Sequence, residues 1–306
     1  MPGFVYSKEY YRIVRMLPRL IGTILAKEDM EGATTRLLEG GYSDVVLLAE
    51  RGDRRRVIKI PIEEGSATNE VYWYSVVNAC GLAAPRLVAY DISKRSVPYV
   101  YEVLEHVNGR VPSSRGELYD AGLFAGKQLR ALHRIRTTGF GSMTLRGWNC
   151  RTWLDVLKNQ IVPEVEEHAL SVLSTSEIEM VHELTIYNKD IDIKKPRMLH
   201  GDLHQDNMLF MNGDNGFVMF DPGYAISGDP MFDLAYATIR RSAGFDDGIS
   251  DGYGVESLTD AESHRFALLR LFCLLKELSE YIKNKDSAFK IRRLSNSLRH
   301  EASAFA

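Results

Sequence analysis

The stretch "MLHGDLHQDNMLF", residues 198–210, decides how this chain is read. Two histidines, two aspartates, a glutamine and an asparagine stand between apolar shoulders. A solvated loop has no need of such shoulders, and a core does not tolerate so many polar groups without partners. Asn207 follows Asp202 by five positions, and Asp221, in "FDPG", follows Asn207 by fourteen. Two short apolar runs around "NGDNG" give a hairpin signal, and a hairpin here returns Asp221 to Asn207. This is the set that phosphoryl transfer requires. One carboxylate orients an attacking hydroxyl, while an amide oxygen and a second carboxylate offer Mg²⁺ hard ligands beside phosphate oxygens and water. Two other readings compete: a metal-free polar turn, and a zinc site on His200 and His204. The strand-like shoulders and the lack of a third ligand at close spacing weigh against zinc.

Working outward, "RRVIKI" sets Lys59 between apolar neighbours on an expected strand, and Glu70 follows in an expected helix. A strand lysine bridged to a helix glutamate positions α- and β-phosphates. Before that strand lies "EGGYSD", residues 39–44, where Gly40 and Gly41 let backbone N–H groups approach phosphate and Ser43 adds a donor. Taken alone, the double glycine is a plain turn; its place ahead of Lys59 and Glu70 gives it meaning. "VPYVYEVLEHVNGR" ends a strand and offers backbone groups of Glu105 and Val107 to an adenine edge, with Val103 and Leu104 as apolar walls.

The 306 residues suit two lobes with cores of their own. "VVLLA" and "VIKI" flank "RGD" as a hairpin; "SATNEVYWYSVVNACG" reads as a helix with Ser66 as N-cap and Gly81 as stop. Residues 8–30 show helical spacing, broken near Pro18. After Val107 the pattern turns helical, with residues 261–283 as a buried helix. The expected division is therefore a nucleotide-positioning lobe over 1–107 and a catalytic, acceptor-binding lobe over 108–306. A net charge of −3 disfavours a nucleic-acid partner. No apolar run approaches the roughly 18 residues of a membrane span, and no signal peptide is expected. Cys80, Cys150 and Cys273 read as free thiols in a reducing, cytoplasmic setting.

In the order "EGGYSD", "VIKI", Glu70, "LHGDLHQDN", "FDPG" and "GDPMFDLA", the chain resembles the aminoglycoside phosphotransferase family of the protein-kinase-like superfamily. "RTTGFGSM" and "RTWLDVL" look nearest to its hygromycin B kinase branch. The resemblance implies an α+β, bilobal kinase-like fold with a small β-rich first lobe and a larger helical second lobe. It implies ATP or GTP as donor, Asp202 as catalytic base, Asn207 and Asp221 as Mg²⁺ ligands, and Lys59 with Glu70 on the phosphates. His200 and Asp233 would brace the catalytic loop. The spacing of residues 39–44 is not G-x-G-x-x-G, Pro222 stands where protein kinases carry Phe, and no "APE" segment follows. Those departures fit a small-molecule kinase.

For the acceptor, "GFDDGISDGYGVESLTDAE" supplies Asp246, Asp247 and Asp251, and "PEVEEH" adds Glu164, Glu166 and Glu167. Acidic groups attract a polycationic small molecule such as an aminoglycoside; a solvated loop and helix face are the plain alternative. The same family pattern also serves choline, homoserine, methylthioribose, fructosamine and macrolide kinases. A nucleotide-binding pseudokinase scaffold is disfavoured, because every functional position carries a competent residue type.

Overall fold

The computed structural model describes residues 7–38, 44–161, 168–211, 216–223, 225–239, 244–283 and 285–305. The chain forms two compact units, one of Met1–Arg110 with Met211–Phe220, the other of Val111–Phe210 with Asp221–Ala306. Strands dominate the first and helices the second.

The first unit is built on an antiparallel sheet of β1 (Thr34–Leu37), β2 (Asp44–Arg51), β3 (Arg54–Pro61), β4 (Leu87–Asp91) and β5 (Tyr101–Glu105), in the order β1-β2-β3-β5-β4. Gly52, at φ 57°, supplies the positive φ that the tight β2–β3 turn needs. Successive strand side chains point to opposite faces. One face, carrying Val45, Leu47, Ala49, Ile58, Ile60, Tyr101 and Val103, packs against the apolar stripe of helix α1 (Lys8–Lys27). That stripe is Ile13, Leu17, Leu20 and Ile24. Helix α1 runs through Pro18, where the sequence suggests a break. Pro18 lies on the exposed side, and the apolar seam before and after it keeps both halves of the helix on the sheet, against the roughly 3 kcal/mol a mid-helix proline costs. Helix α2 (Glu64–Ala79) also departs from expectation. It starts ahead of Ser66, with Glu63 at the cap position, and the Ser66 hydroxyl donates to Glu63 O at 2.9 Å inside the first turn. The strand Phe217–Met219 belongs to this unit, tied by Met219 N–H to Ala83 O at 2.9 Å.

The second unit holds α3 (Arg115–Leu132), α4 (Trp153–Val156), α5 (Thr175–Leu184), α6 (Pro230–Ile239), α7 (Phe245–Tyr253), α8 (Asp260–Lys283) and α9 (Ala288–Ala302). The expected buried helix is α8, and it packs on α6. The acidic stretch at 244–262, for which a solvated loop is the plain alternative from sequence, is helix α7 over Phe245–Tyr253 and enters α8 at Asp260. Its glycines act as points of close approach. A Cβ on Gly248 would meet Tyr119 O at 2.2 Å, and one on Gly252 would meet Leu123 O at 2.2 Å. From the facing side, a Cβ on Gly126 would meet Ile249 O at 2.5 Å. Helices α3 and α7 thus touch backbone to backbone.

Gly126→Ala has no flexible neighbour to displace, so it should lower the free energy of urea unfolding by at least about 2 kcal/mol. Gly116, in the first turn of α3, has open space where a methyl group would stand, with nothing within 4 Å of it. Gly116→Ala should therefore be neutral or stabilising by up to about 1 kcal/mol. Equal stability of the two variants would contradict the close packing.

Candidate active site

In the first unit, alternation along β3 decides where Lys59 goes. Ile58 and Ile60 are committed to the α1 face, so Lys59 points to the other face of the sheet, where α2 lies. Its amine donates to Glu70 Oε2 at 2.5 Å, with both side chains buried. Two further carboxylates share that amine: Asp44 at 3.4 Å and Glu102 at 3.8 Å. Asp44 opens β2, and Glu102 lies on β5 in register with Lys59.

The same alternation corrects one sequence expectation. Val103 faces the α1 cluster and is fully buried there, so its side chain is not a wall for adenine on the Lys59 face; Leu104, one position on, has the parity for that face. The Glu105 N–H donates to Arg86 O at 2.8 Å, and its carboxylate pairs with Arg86 Nε at 3.0 Å. Val107 follows the end of β5 and is half-buried. Gly40, Gly41 and Ser43 lie outside the described residues, as do Glu164, Glu166 and Glu167.

In the second unit, the strand Arg197–Met198 pairs with Ser227–Gly228, which leads into α6. This pairing brings the "HGD" loop over Asp233 of α6. The Asp233 carboxylate is fully buried and accepts His200 N–H at 2.6 Å on one oxygen and Gly201 N–H at 2.7 Å on the other. His133, at the end of α3, meets it through Nε2 at 3.1 Å, and the other ring nitrogen of His133 meets the hydroxyl of Tyr253 at 2.9 Å. Burial pushes the Tyr253 phenol well above its ordinary pKa, with the charge of Asp233 adding to the rise, so the hydroxyl stays protonated. His200 is buried; its Nδ1 accepts the Asp202 N–H at 3.4 Å.

Glycine is required at two points of this loop. Gly201 has φ 81°, and a Cβ there would meet Ala225 O at 2.5 Å. A Cβ on Gly223 would meet Gly201 O at 2.6 Å. The "HGD" and "DPG" segments are therefore pressed together, and Gly223 N–H donates to His200 O at 2.8 Å. Asp221 sits at φ 62°, a left-handed conformation uncommon for a residue with a side chain.

Asn207 closes a short 3₁₀ turn, Gln205–Asn207. Its amide nitrogen donates to Asp202 O at 2.9 Å and reaches Asp202 Oδ2 and Asp221 O, each at 3.4 Å. With the nitrogen directed at the loop, the side-chain oxygen is the atom left to act as a ligand. Asn207 and Asp221 thus stand on two segments joined by a hydrogen bond, and an amide oxygen with a carboxylate is a hard-oxygen set of the kind Mg²⁺ prefers. Among the described residues no cluster of three metal-ligating side chains includes His200 or His204, so the zinc reading gains no third ligand; His204 Nδ1 accepts Asp206 N–H at 3.2 Å, and its Nε2 lies 3.9 Å from Asp202 Oδ2.

Sequence reasoning passes over Asp44, Glu102 and Lys276. Lys276, set in the apolar run of α8, is ion-paired with Glu280 and lies 5.1 Å from the centre of the Tyr236 ring. Burial lowers its pKa, but the charges of Glu280 and then Asp202 more than offset this, and its pKa is raised. A lone lysine in "FCLLKEL" is the signal available. Of the acceptor candidates, Asp246 is half-buried, while Asp247 and Asp251 are exposed on α7. Asp251 accepts the Tyr119 hydroxyl at 2.7 Å.

Comparison with curated proteins finds no match. Solved structures do match. A thermostable mutant of aminoglycoside phosphotransferase APH(4)-Ia, in ternary complex with ADP and hygromycin B, is similar over 91% of this chain and 98% of its own, with a TM-score of 0.69 and 17% identity. A protein assigned as a fructosamine-3-kinase from Haemophilus somnus 129PT is similar over 93% and 98%, with a TM-score of 0.67 and 16% identity. Choline kinase LicA from Streptococcus pneumoniae is similar over 96% and 99%, with a TM-score of 0.66 and 13% identity. At such identities these likenesses establish the fold, a kinase-like α+β architecture with a β-rich first part and a larger helical second part. Residues 34–268, from β1 into α8, match the model of the phosphotransferase enzyme family, and the chain belongs to that family.

Proposed function

We propose that the chain is a Mg²⁺-dependent kinase of small molecules, moving the γ-phosphoryl group of ATP or GTP to a hydroxyl of a cationic, aminoglycoside-like acceptor. The observation that carries this reading is the grip of Asp233 on the backbone of His200 and Gly201, with Asn207 bonded across to Asp202 and Asp221. It leaves Asp202 half-exposed on a rigid loop, able to accept a hydrogen bond from an incoming hydroxyl. A bound Mg²⁺ neutralises phosphate charge, with Asn207 and Asp221 as the residues that would hold it. Lys59, braced by Glu70, places the phosphates. Asp202 aligns the acceptor oxygen for in-line attack and takes its proton as the ester bond forms. Most of the acceleration comes from this positioning and from fixed charges.

For the acceptor, Asp247 and Asp251 on α7 offer carboxylates to amines. The neighbour that carries hygromycin B supports the same class by analogy. A metabolic acceptor such as an amino alcohol or a sugar is the second reading, in line with the choline kinase and fructosamine kinase likenesses. A cytoplasmic setting belongs to the proposal. Cys80, Cys150 and Cys273 are all free thiols, and no described helix is long and apolar enough to cross a membrane.

An ADP-coupled assay over aminoglycosides, amino alcohols and sugars separates the two readings by which acceptor supports turnover. With that acceptor, Asp202→Ala should lose about 10²–10⁴-fold in kcat while binding nucleotide as before; near-parental turnover would remove Asp202 from its role. Asp233→Asn turns an amide N–H₂ toward one of the two loop donors. It should lower unfolding free energy by about 1–3 kcal/mol and reduce kcat as well. Unchanged stability and turnover would show that the loop does not depend on this carboxylate.

A further inference from the structure

Lys59 carries more negative company than its task requires. A single glutamate, Glu70, suffices to brace a phosphate-positioning lysine, and it does so here by a hydrogen bond of 2.5 Å. Yet the strands on both sides of β3 each add a carboxylate on the same face. Asp44 comes from β2 at 3.4 Å and Glu102 from β5 at 3.8 Å. All four side chains are buried, and that of Glu102 is only 2% exposed. If all four are ionised, one positive charge faces three negative ones, away from the water that would screen them.

The three carboxylates are not equivalent. Glu70 is close enough to fix where the amine points. Glu102 stands beyond hydrogen-bond length, so it acts on the amine through charge. Its backbone is fixed beside the lysine, since β5 pairs with β3 in register at Lys59↔Glu102, and its side chain is buried there. A phosphate chain approaching Lys59 therefore meets an ammonium whose charge is already drawn toward β5. Burying a carboxylate in a strand is expensive, and a hydrophobic side chain would serve the sheet better. Its presence beside the amine calls for a role in which charge counts.

We infer that Glu102 is a positioning residue that acts through Lys59 to weaken the hold on nucleotide phosphates, setting the affinity for donor and product. This rests on the reading of Lys59 as the phosphate-positioning lysine. Weaker uniform binding costs nothing in the chemical step and speeds product departure, which limits turnover in many enzymes.

The test is titration of the full-length protein with MgADP and with a non-hydrolysable MgATP analogue, by calorimetry, alongside kcat and KM for ATP. Glu102→Gln keeps the shape and removes the charge. It should bind both nucleotides about three- to tenfold tighter, with a lower KM for ATP. Glu70→Gln should bind them more weakly. In a Lys59→Gln background, which itself should loosen binding, Glu102→Gln should change affinity by less than about twofold, because its effect runs through the amine. Should Glu102→Gln fold poorly, Glu102→Asp keeps a carboxylate but shortens it away from Lys59 and should give an intermediate gain. A folded Glu102→Gln protein with unchanged or weaker binding overturns the inference, and so does an equal gain in the Lys59→Gln background. If Lys59→Gln alone leaves nucleotide binding untouched, the role given to Lys59 itself falls, and the role of Glu102 falls with it.

Discussion

One buried carboxylate governs the second unit. The two oxygens of Asp233 take the N–H groups of His200 and Gly201, and the ring of His133 closes the same group from α3. A catalytic loop cannot satisfy its own backbone in a helix or sheet, so its donors must find acceptors elsewhere. Here they find a charged one, which makes each bond stronger than a neutral pair and ties the loop to α6. The consequence extends along the chain. With Gly201 fixed, Gly223 can press against it, and Asp221 is held in its left-handed conformation next to the amide of Asn207. The geometry of Asp202, Asn207 and Asp221 is thus a property of the loop's attachment as much as of the three side chains.

The first unit solves a different problem. A lysine must be kept charged and aimed while buried in a sheet. Strand alternation points it away from α1, and Glu70 on α2 compensates its charge. Asp44 and Glu102 stand beside the same amine. Binding polyanions tightly is easy for a protein with a free ammonium; binding them only as tightly as turnover allows needs a counterweight, and neighbouring strands are the natural place to build one.

The legible part of the site is the part written in local spacing. "HGDLHQDN" and "FDPG" lie close enough in sequence for their meeting to be expected, and a strand lysine followed by a helix glutamate anticipates the pair Lys59–Glu70. What escapes needs register or packing. Glu102 gains its meaning only when β5 is laid beside β3, and the placing of Val103 against Leu104 turns on a single step of strand parity. Helix α7 is hidden because Gly248 and Gly252 look like breakers until α3 is seen lying against them. Pro18 misleads for the opposite reason: its local penalty is real, and a long apolar seam outweighs it. Lys276 is visible as an oddity in an apolar run, but its relation to Asp202 is purely tertiary.

The central claim is that this chain makes phosphate esters of small molecules, and ³¹P NMR observes that event directly. The protein is incubated with ATP, Mg²⁺ and pools of aminoglycosides, amino alcohols and sugars. A new phosphomonoester resonance is expected in one pool, growing in step with ADP while the γ-phosphate signal of ATP declines. ADP accompanied only by inorganic phosphate in every pool, or no loss of ATP at all, would contradict it.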